Sequence, residues 1–311
     1  MTWKQKALIQ RGCASLPFGN EELYYFLQRK FGSLRHDPDP LPNLREAAGI
    51  AADLAKAGTP PEGRRVMEVG TGRRLDMPLA FYLLGAASVD TVDLHAYLKA
   101  EIVLKAVAAI VARRDEVTAY FAPYTAAPDL ARRLDRLAGV SSLPDLLRET
   151  RISYHAPTDA TRTTFPDASF DIQFSYTVFE HIPYDVLLGI LRECRRLLAP
   201  GGIACHHIDL SDHFAHDDPS ISFVNFLRFE EKEWSGYNDN QFAYHNRLRE
   251  PDFERLYKEA GHDVLEWRTW RDSRGENEIR SGAFPLASRY RGLPAEMLAT
   301  VGVRVLSRSA A

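Results

Sequence analysis

The stretch Arg64–Gly72, RRVMEVGTG, decides how the rest of this 311-residue chain is read. Val66, Met67 and Val69 have the spacing of a short buried strand, and Glu68 lies at its close. Gly70-Thr71-Gly72 then turns the backbone sharply into a helix starting near Leu75. Glycines suit such a turn because a residue without a Cβ bends tightly and lets a ligand approach the backbone, with the amides of the next helix facing it. The turn alone is equally a plain strand-to-helix connection, so its neighbours must decide.

Working forward, Leu79 to Leu84 reads as a crossover helix and Ser88 to Leu94, SVDTVDL, as the second strand. Asp93 falls 21 residues past Gly72, where a doubly wound sheet places a carboxylate against ribose hydroxyls; the other reading is an exposed turn. Val103, Val107, Ile110 and Val111 recur at helical spacing as core residues. Residues 114–150 interrupt the alternation with Pro123, Pro128 and Pro144 and with short helices over Leu130–Leu137 and Leu143–Leu147. They are expected to be an insertion on the ligand side of the sheet, shaping a pocket or merely padding it. The sheet resumes at Ile152 to Ala156, which delivers Asp159 and Ala160 to its rim. Phe170 to Tyr176, FDIQFSY, is the next strand, followed directly by Thr177-Val178-Phe179-Glu180-His181. A helix with Leu187, Leu191, Cys194 and Leu198 on one face stops at Leu198-Ala199-Pro200-Gly201-Gly202, and Ile203 to Leu210 is the fifth strand.

The order EVGTG, TVDL, PTDA, FPDASFDIQFSYTVFEHI and LRECRRLLAPGGIACHHIDL resembles the class I S-adenosylmethionine-dependent methyltransferases over roughly residues 60–270. The resemblance implies a Rossmann-like, doubly wound, mostly parallel seven-stranded α/β sheet whose last strand, Val303 to Ser307, is antiparallel. It also implies that Glu68, Gly70, Thr71 and Gly72 hold the methionine part of S-adenosylmethionine, that Asp93 holds the ribose, and that Asp159 and Ala160 meet the adenine. Ser175 and Tyr176 would line the floor near the sulfonium. Arg74 stands where the family has a third glycine, so its guanidinium is expected to pair with the cofactor carboxylate or point to solvent.

Beyond the fifth strand, His206, His207, Asp209, Asp212, His213, His216, Asp217 and Asp218 fall within 13 residues. Three readings stay open: a histidine general base near its ordinary pKa of about 6.5 (His213 or His207, with His181 next), a divalent metal site using Asp209 and Asp212 with a histidine, or hydrogen bonds that order a loop. Residues 211–250 form a second insertion and the expected substrate wall, with Asn225, Tyr244, Asn246 and Arg247 as hydrogen-bonding candidates. Residues 1–60 are expected to be a helical cap or lid ahead of the 61–311 sheet domain. In this cap Asn20 opens a helix bearing Leu23, Leu27 and Phe31 that Gly32 ends, Tyr24 is a substrate contact, and the prolines at 38, 40 and 42 precede a second helix from Leu44 to Ala57. Pro251 to Ala260 is a helix stopped by Gly261, Asp263 to Arg271 is a strand, and the 272–302 link is expected to be partly irregular.

Composition narrows the partners. With 39 Lys and Arg against 42 Asp and Glu, the formal net charge is −3, and no basic field for nucleic acid exists. Cys13, Cys194 and Cys205 lack a CxxC spacing and suit a reducing cytoplasm. No run approaches the roughly 20 apolar residues of a membrane helix. The expectation is a cytoplasmic enzyme, with a homodimer as the assembly to test, that methylates a small or medium-sized polar metabolite on oxygen. A small amine acceptor, a nicotinamide-dependent dehydrogenase and a non-catalytic cofactor-binding protein are the alternatives.

Overall fold

The computed structural model describes residues 2–31, 37–240, 242–283 and 285–310; the expected helix stop at Gly32 and the side chains of Asn20 and Phe31 lie outside the described residues. Three helices come first: α1 (Trp3–Ala14), α2 (Asn20–Phe31) and α3 (Leu41–Lys56). α3 begins earlier than the expected Leu44, because Pro42 sits in its first turn, where a missing amide costs nothing.

The sheet is built from β1 (Arg65–Val69), β2 (Ser88–Val92), β3 (Ile152–His155), β4 (Phe170–Tyr176), β5 (Leu198–Asp209), β6 (His262–Arg271) and β7 (Thr300–Ser309). Their order is β3-β2-β1-β4-β5-β7-β6, and β7 runs antiparallel to both its neighbours. Between β1 and β2 lies α4 (Asp76–Leu83), every residue of which is buried. α5 (Ala100–Ala112) then carries the chain back toward the amino ends of the strands.

There the 114–150 segment forms α6 (Arg114–Phe121), α7 (Ala127–Ala138) and α8 (Leu143–Thr150). This corrects the expectation that it shapes the pocket. On α7, Arg133 donates to the Leu83 carbonyl at the end of α4 and pairs with Glu62 ahead of β1, so the segment sits by the amino ends of the strands. Phe121, Leu130, Leu134, Leu137 and Leu146 fill the core on that face.

Strand periodicity divides the core. Val66 packs with α3 and α4, whereas Met67 and Val69 face α9 (Tyr184–Leu197) and the helices beyond it. β5 starts at Leu198, five residues before the expected Ile203: Phe170 pairs with Leu198 and Ile172 with Ile203, and the Pro200-Gly201-Gly202 turn bulges out between them. α10 (Glu231–Asn238) lies in the 211–250 excursion, and α11 (Glu250–Ala260) ends at Gly261, whose φ of +77° makes the left-handed stop. The 272–302 link is more regular than expected, carrying α12 (Ser273–Ser281) and α13 (Ala295–Leu298).

A third apolar cluster lies outside the sheet. Trp3 and Ala7 of α1 pack with Phe214, Val224, Phe226, Leu227 and Trp234, so the amino-terminal helix and the excursion after β5 form one layer. Among the described residues, no helix is long and apolar enough to cross a membrane.

Candidate active site

The turns at the carboxyl ends of β1, β2, β4 and β5 converge. Gly70 has φ +91°, and a Cβ there would overlap the Val178 side chain, so the turn after β1 and the loop after β4 touch at this glycine. The Gly72 amide donates to Asp93 Oδ2 at 2.7 Å and the His95 amide to Oδ1 at 2.9 Å, which ties the turns after β1 and β2 together through one carboxylate. Glu68 lies behind the turn. It accepts from the Thr91 hydroxyl at 2.5 Å, and that hydroxyl lies 2.5 Å from the Thr71 hydroxyl. Burial pushes the Glu68 carboxyl up to about 8 against the pull of Thr91, and the nearby Asp93 and Asp76 push the same way. Arg74 takes neither expected role: it pairs with buried Asp76 and donates to the Asp39 carbonyl.

Asp159 Oδ1 accepts the Thr161 amide and hydroxyl at 2.8 and 2.7 Å, while Ala160 packs against the α9 side of the core. Ser175 is fully buried, its hydroxyl 2.9 Å from His206 Nδ1. The Tyr176 ring lies 5.1 Å from that of His207, and burial pushes its hydroxyl up to about 12. Thr177, with φ +52°, holds a β-branched side chain in the left-handed region while its amide donates to the His207 carbonyl.

The expected histidine cluster assembles from three separate stretches. The rings of His181 and His213 are 5.0 Å apart, those of His213 and His245 4.9 Å, and those of His213 and His216 5.6 Å. Asp209 Oδ2 lies 3.3 Å from His213 Nε2 and 3.5 Å from His216 Nε2. Burial alone would raise the Asp209 carboxyl, yet these imidazoles hold it well below the usual range, and Asp209 raises His216 in return. An ordinary imidazole pKa does not survive at the other two candidate bases. Burial, then His213, lowers His181 to about 4; burial, then Arg304, lowers His207 to about 4.

Two cavities flank the cluster. The smaller, about 160 Å³, is lined by Lys6, Gln10 and Tyr24 from the cap and by His181, His213 and His245. The larger, about 330 Å³, is lined by Glu46, Tyr176, His207, Asp209, His216 and Trp270. Tyr24, expected as a substrate contact, is stacked on Phe242 with ring centroids 4.3 Å apart.

Other expected contacts are spent internally. Asn225 donates to Asp212, Asn246 to the carbonyls of Phe179 and Ile182, and Arg247, 1 % exposed, to those of Phe226 and Phe229 and to Glu231. Tyr244 enters through its backbone carbonyl, which accepts from His181 Nδ1 at 2.8 Å. The reason is general: an excursion without a hydrogen-bonding ladder leaves carbonyls that side chains must satisfy. Asp212 is corrected as a metal ligand for the same reason, since its oxygens accept the Phe214 amide and the Asn225 amide group. Glu180, wholly buried beside His181, escaped sequence reading, although the Glu-His pair after β4 was the available signal.

A methyltransferase-domain family model matches residues 125–206, covering β3, β4, α9 and most of β5. None of the curated proteins is detectably similar in sequence. Among solved structures, the chain is similar to an S-adenosylmethionine-dependent methyltransferase from Clostridium acetobutylicum (10% identity, 94% of this chain and 99% of that one, TM-score 0.49). It is also similar to a 1,6-didemethyltoxoflavin-N1-methyltransferase from Burkholderia thailandensis (14%, 93% and 87%, 0.46) and to the [4+2]-cyclase SpnF (12%, 85% and 81%, 0.43). At such scores these likenesses carry no argument about the reaction. The matched stretch carries a methyltransferase-domain signature, and the sheet order and the glycine turn at the β1–β4 switch point are those that the resemblance to the class I S-adenosylmethionine-dependent methyltransferases implies.

Proposed function

We propose that this enzyme methylates an oxygen of a small or medium-sized polar metabolite, with His207 as the general base. The observation that carries the reading is the Asp93 carboxylate bridging the turns after β1 and β2, 2.7 Å from the Gly72 amide, beside the crevice where strand order reverses. The fit to S-adenosylmethionine is local. Gly70 has no room for a side chain, the Gly72 turn presents backbone amides, and Asp93 is an acceptor at the rim. Gly70, Thr71, Gly72 and Asp93 would hold the methionine and ribose parts, with Glu68 bracing the turn through Thr91. Asp159 and Ala160 would meet the adenine, and Ser175 and Tyr176 would form the floor. The cofactor, when bound, supplies a methyl group on a positively charged sulfur.

The acceptor reading rests on the larger cavity. His207 lines it, and its Nδ1 is buried without a hydrogen-bond partner among the described residues, so this imidazole is the base we assign to a hydroxyl bound there. With the cofactor supplying the methyl group, His207 would take the proton that the acceptor hydroxyl gives up. Glu46, Tyr176 and Trp270 are the wall residues that would meet the acceptor there, whereas Tyr24 lines the smaller cavity and Tyr244 lines neither.

Calorimetric titration tests the cofactor half. S-adenosylhomocysteine should bind and NAD should not, and Asp93→Ala should weaken binding by about 1–3 kcal/mol. Tight NAD binding alone would make the protein a dehydrogenase. For the acceptor half, a panel of hydroxyl and amine metabolites is scanned for homocysteine release, and His207→Ala should lower turnover ~10²–10⁴-fold with cofactor affinity unchanged. Full turnover of an amine by that variant would favour N-methylation, since an acceptor that binds neutral needs no base.

A further inference from the structure

Two carboxylates and three imidazoles meet between the cavities. The ligand-capable atoms of Asp209, His213 and His216 lie within 4.8 Å of one another, as do those of Glu180, His181 and His213, with His213 common to both groups. Glu180 is wholly buried, and neither of its oxygens has a hydrogen-bond partner. Among the described residues, the salt-bridge partners of Glu180 and Asp209 are histidines alone; no lysine or arginine reaches either carboxylate. An ionised carboxylate buried without a partner is costly, and two near each other more so.

Tautomers sharpen the point. The Tyr244 carbonyl can only accept, so His181 carries its proton on Nδ1 and turns the Nε2 lone pair toward Glu180 Oε1, 3.9 Å away. An ionised carboxylate also only accepts, so a proton, a water or a cation must stand between these two atoms. His245 is the opposite case. Its Nδ1 accepts the Arg247 amide, which leaves the proton on Nε2 and removes that ring from the ligand set.

Spacing agrees with an ion. Two ligand atoms about 2.1 Å from a tetrahedral metal stand about 3.4 Å apart, whereas a charge-assisted N–H···O hydrogen bond closes to about 2.8 Å. The separations of Asp209 from His213 and His216, 3.3 and 3.5 Å, match that spacing.

We propose that Asp209, His213 and His216 form a site for one divalent first-row transition metal, with the buried carboxylate of Glu180, whose own group shares His213, as the neighbouring counter-charge. Mixed imidazole and carboxylate donors suit zinc, manganese or ferrous iron better than calcium or magnesium. The cluster borders both cavities, so an acceptor oxygen can complete the coordination, where the ion would hold it and ease loss of its proton. That use of the ion rests on the proposed methyl transfer; its binding does not.

Cobalt(II) is the probe. Protein prepared without chelator, loaded with cobalt and desalted, should retain about one cobalt per chain, show visible ligand-field absorption, and lose both when zinc is added. His213→Ala, Asp209→Asn and Glu180→Gln should each weaken cobalt binding at least tenfold while S-adenosylhomocysteine affinity stays within twofold, which also reports folding. His216→Ala, at a half-exposed position, serves if the buried variants fail to fold. Absence of retained cobalt, or equal retention by the variants, overturns the site and leaves a protonated Glu180 as the explanation of the cluster. Cobalt bound by the native chain and lost in the variants, without any S-adenosylhomocysteine binding, would instead keep the site and remove the methyl-transfer reading.

Discussion

Glu68 stands on the central strand, its carboxylate turned away from the crevice, and its value of about 8 reverses the usual contribution of a carboxylate to stability. In the unfolded chain the group titrates near 4.5, so between that value and about 8 the native state holds a proton that the unfolded state has released. The stabilisation is full below pH 4.5 and is lost as pH rises through 8, at up to about 1.4 kcal/mol per pH unit. Glu68→Gln keeps the shape and the Thr91 contact but cannot titrate. Urea unfolding at pH 5.5 and 7.5 should show the stability of wild type falling relative to the variant between the two, the buried histidines contributing equally to both; parallel profiles would mean the carboxylate is ionised in place. The chemistry fits the position, because a neutral acid behind the glycine turn adds no second negative charge beside Asp93, whose oxygens bind the turn amides.

At the scale of elements, α1 is a brace for the excursion after β5. The Trp3 ring lies 4.9 Å from Tyr237 and 5.6 Å from both Phe214 and Phe229, its amide donates to Asp218, and Lys6 pairs with Asp217. Trp3→Ala should therefore cost ~3–5 kcal/mol of local stability, seen as faster proteolysis within 211–250, while S-adenosylhomocysteine affinity stays within twofold because the β1 and β2 turns are untouched. Unchanged cleavage would mean that the excursion holds itself together. This docking was not legible in sequence: Trp3 and Phe214 are far apart along the chain, and each reads locally as an ordinary apolar residue. The strands and α9 were legible because a period of two or of 3.6 is a local property, as in FDIQFSY and in Leu187, Leu191 and Cys194. The glycine turn and Asp93 were found by their spacing. What spacing could not give was direction: the same run of polar residues that suggested a substrate wall contains Asn225, Asn246 and Arg247, whose partners are carbonyls and carboxylates within the fold. Asp212 and Asp209, three residues apart, show the limit most plainly, since only Asp209 meets the histidines.

Across the whole molecule, the two ends of the chain are joined through one buried carboxylate. Asp53 of α3 pairs with Arg304 of β7 at 2.9 Å and with Arg268 of β6 at 2.7 Å, and Arg304 also reaches Glu46 at 2.8 Å. Arg304 is 3 % exposed and lies over the Trp270 ring, while Glu46 and Trp270 both line the larger cavity. The network thus fixes the helical cap against the antiparallel edge of the sheet and sets one wall of the larger cavity. Removing one member of a buried pair leaves an uncompensated charge, which typically costs ~3–5 kcal/mol, whereas replacing the group by apolar residues of similar volume is often neutral. Asp53→Ala should therefore destabilise the protein by about that amount in urea unfolding, and Asp53→Leu combined with Arg304→Met and Arg268→Met should recover most of it. The two changes separate stability from function. The triple variant restores the fold but leaves Glu46 without its partner and Trp270 without its overlying guanidinium, so KM for the acceptor should stay raised while S-adenosylhomocysteine affinity matches wild type. An acceptor KM that recovers together with stability would show that the cap is held by packing alone and that the charges do not shape the cavity.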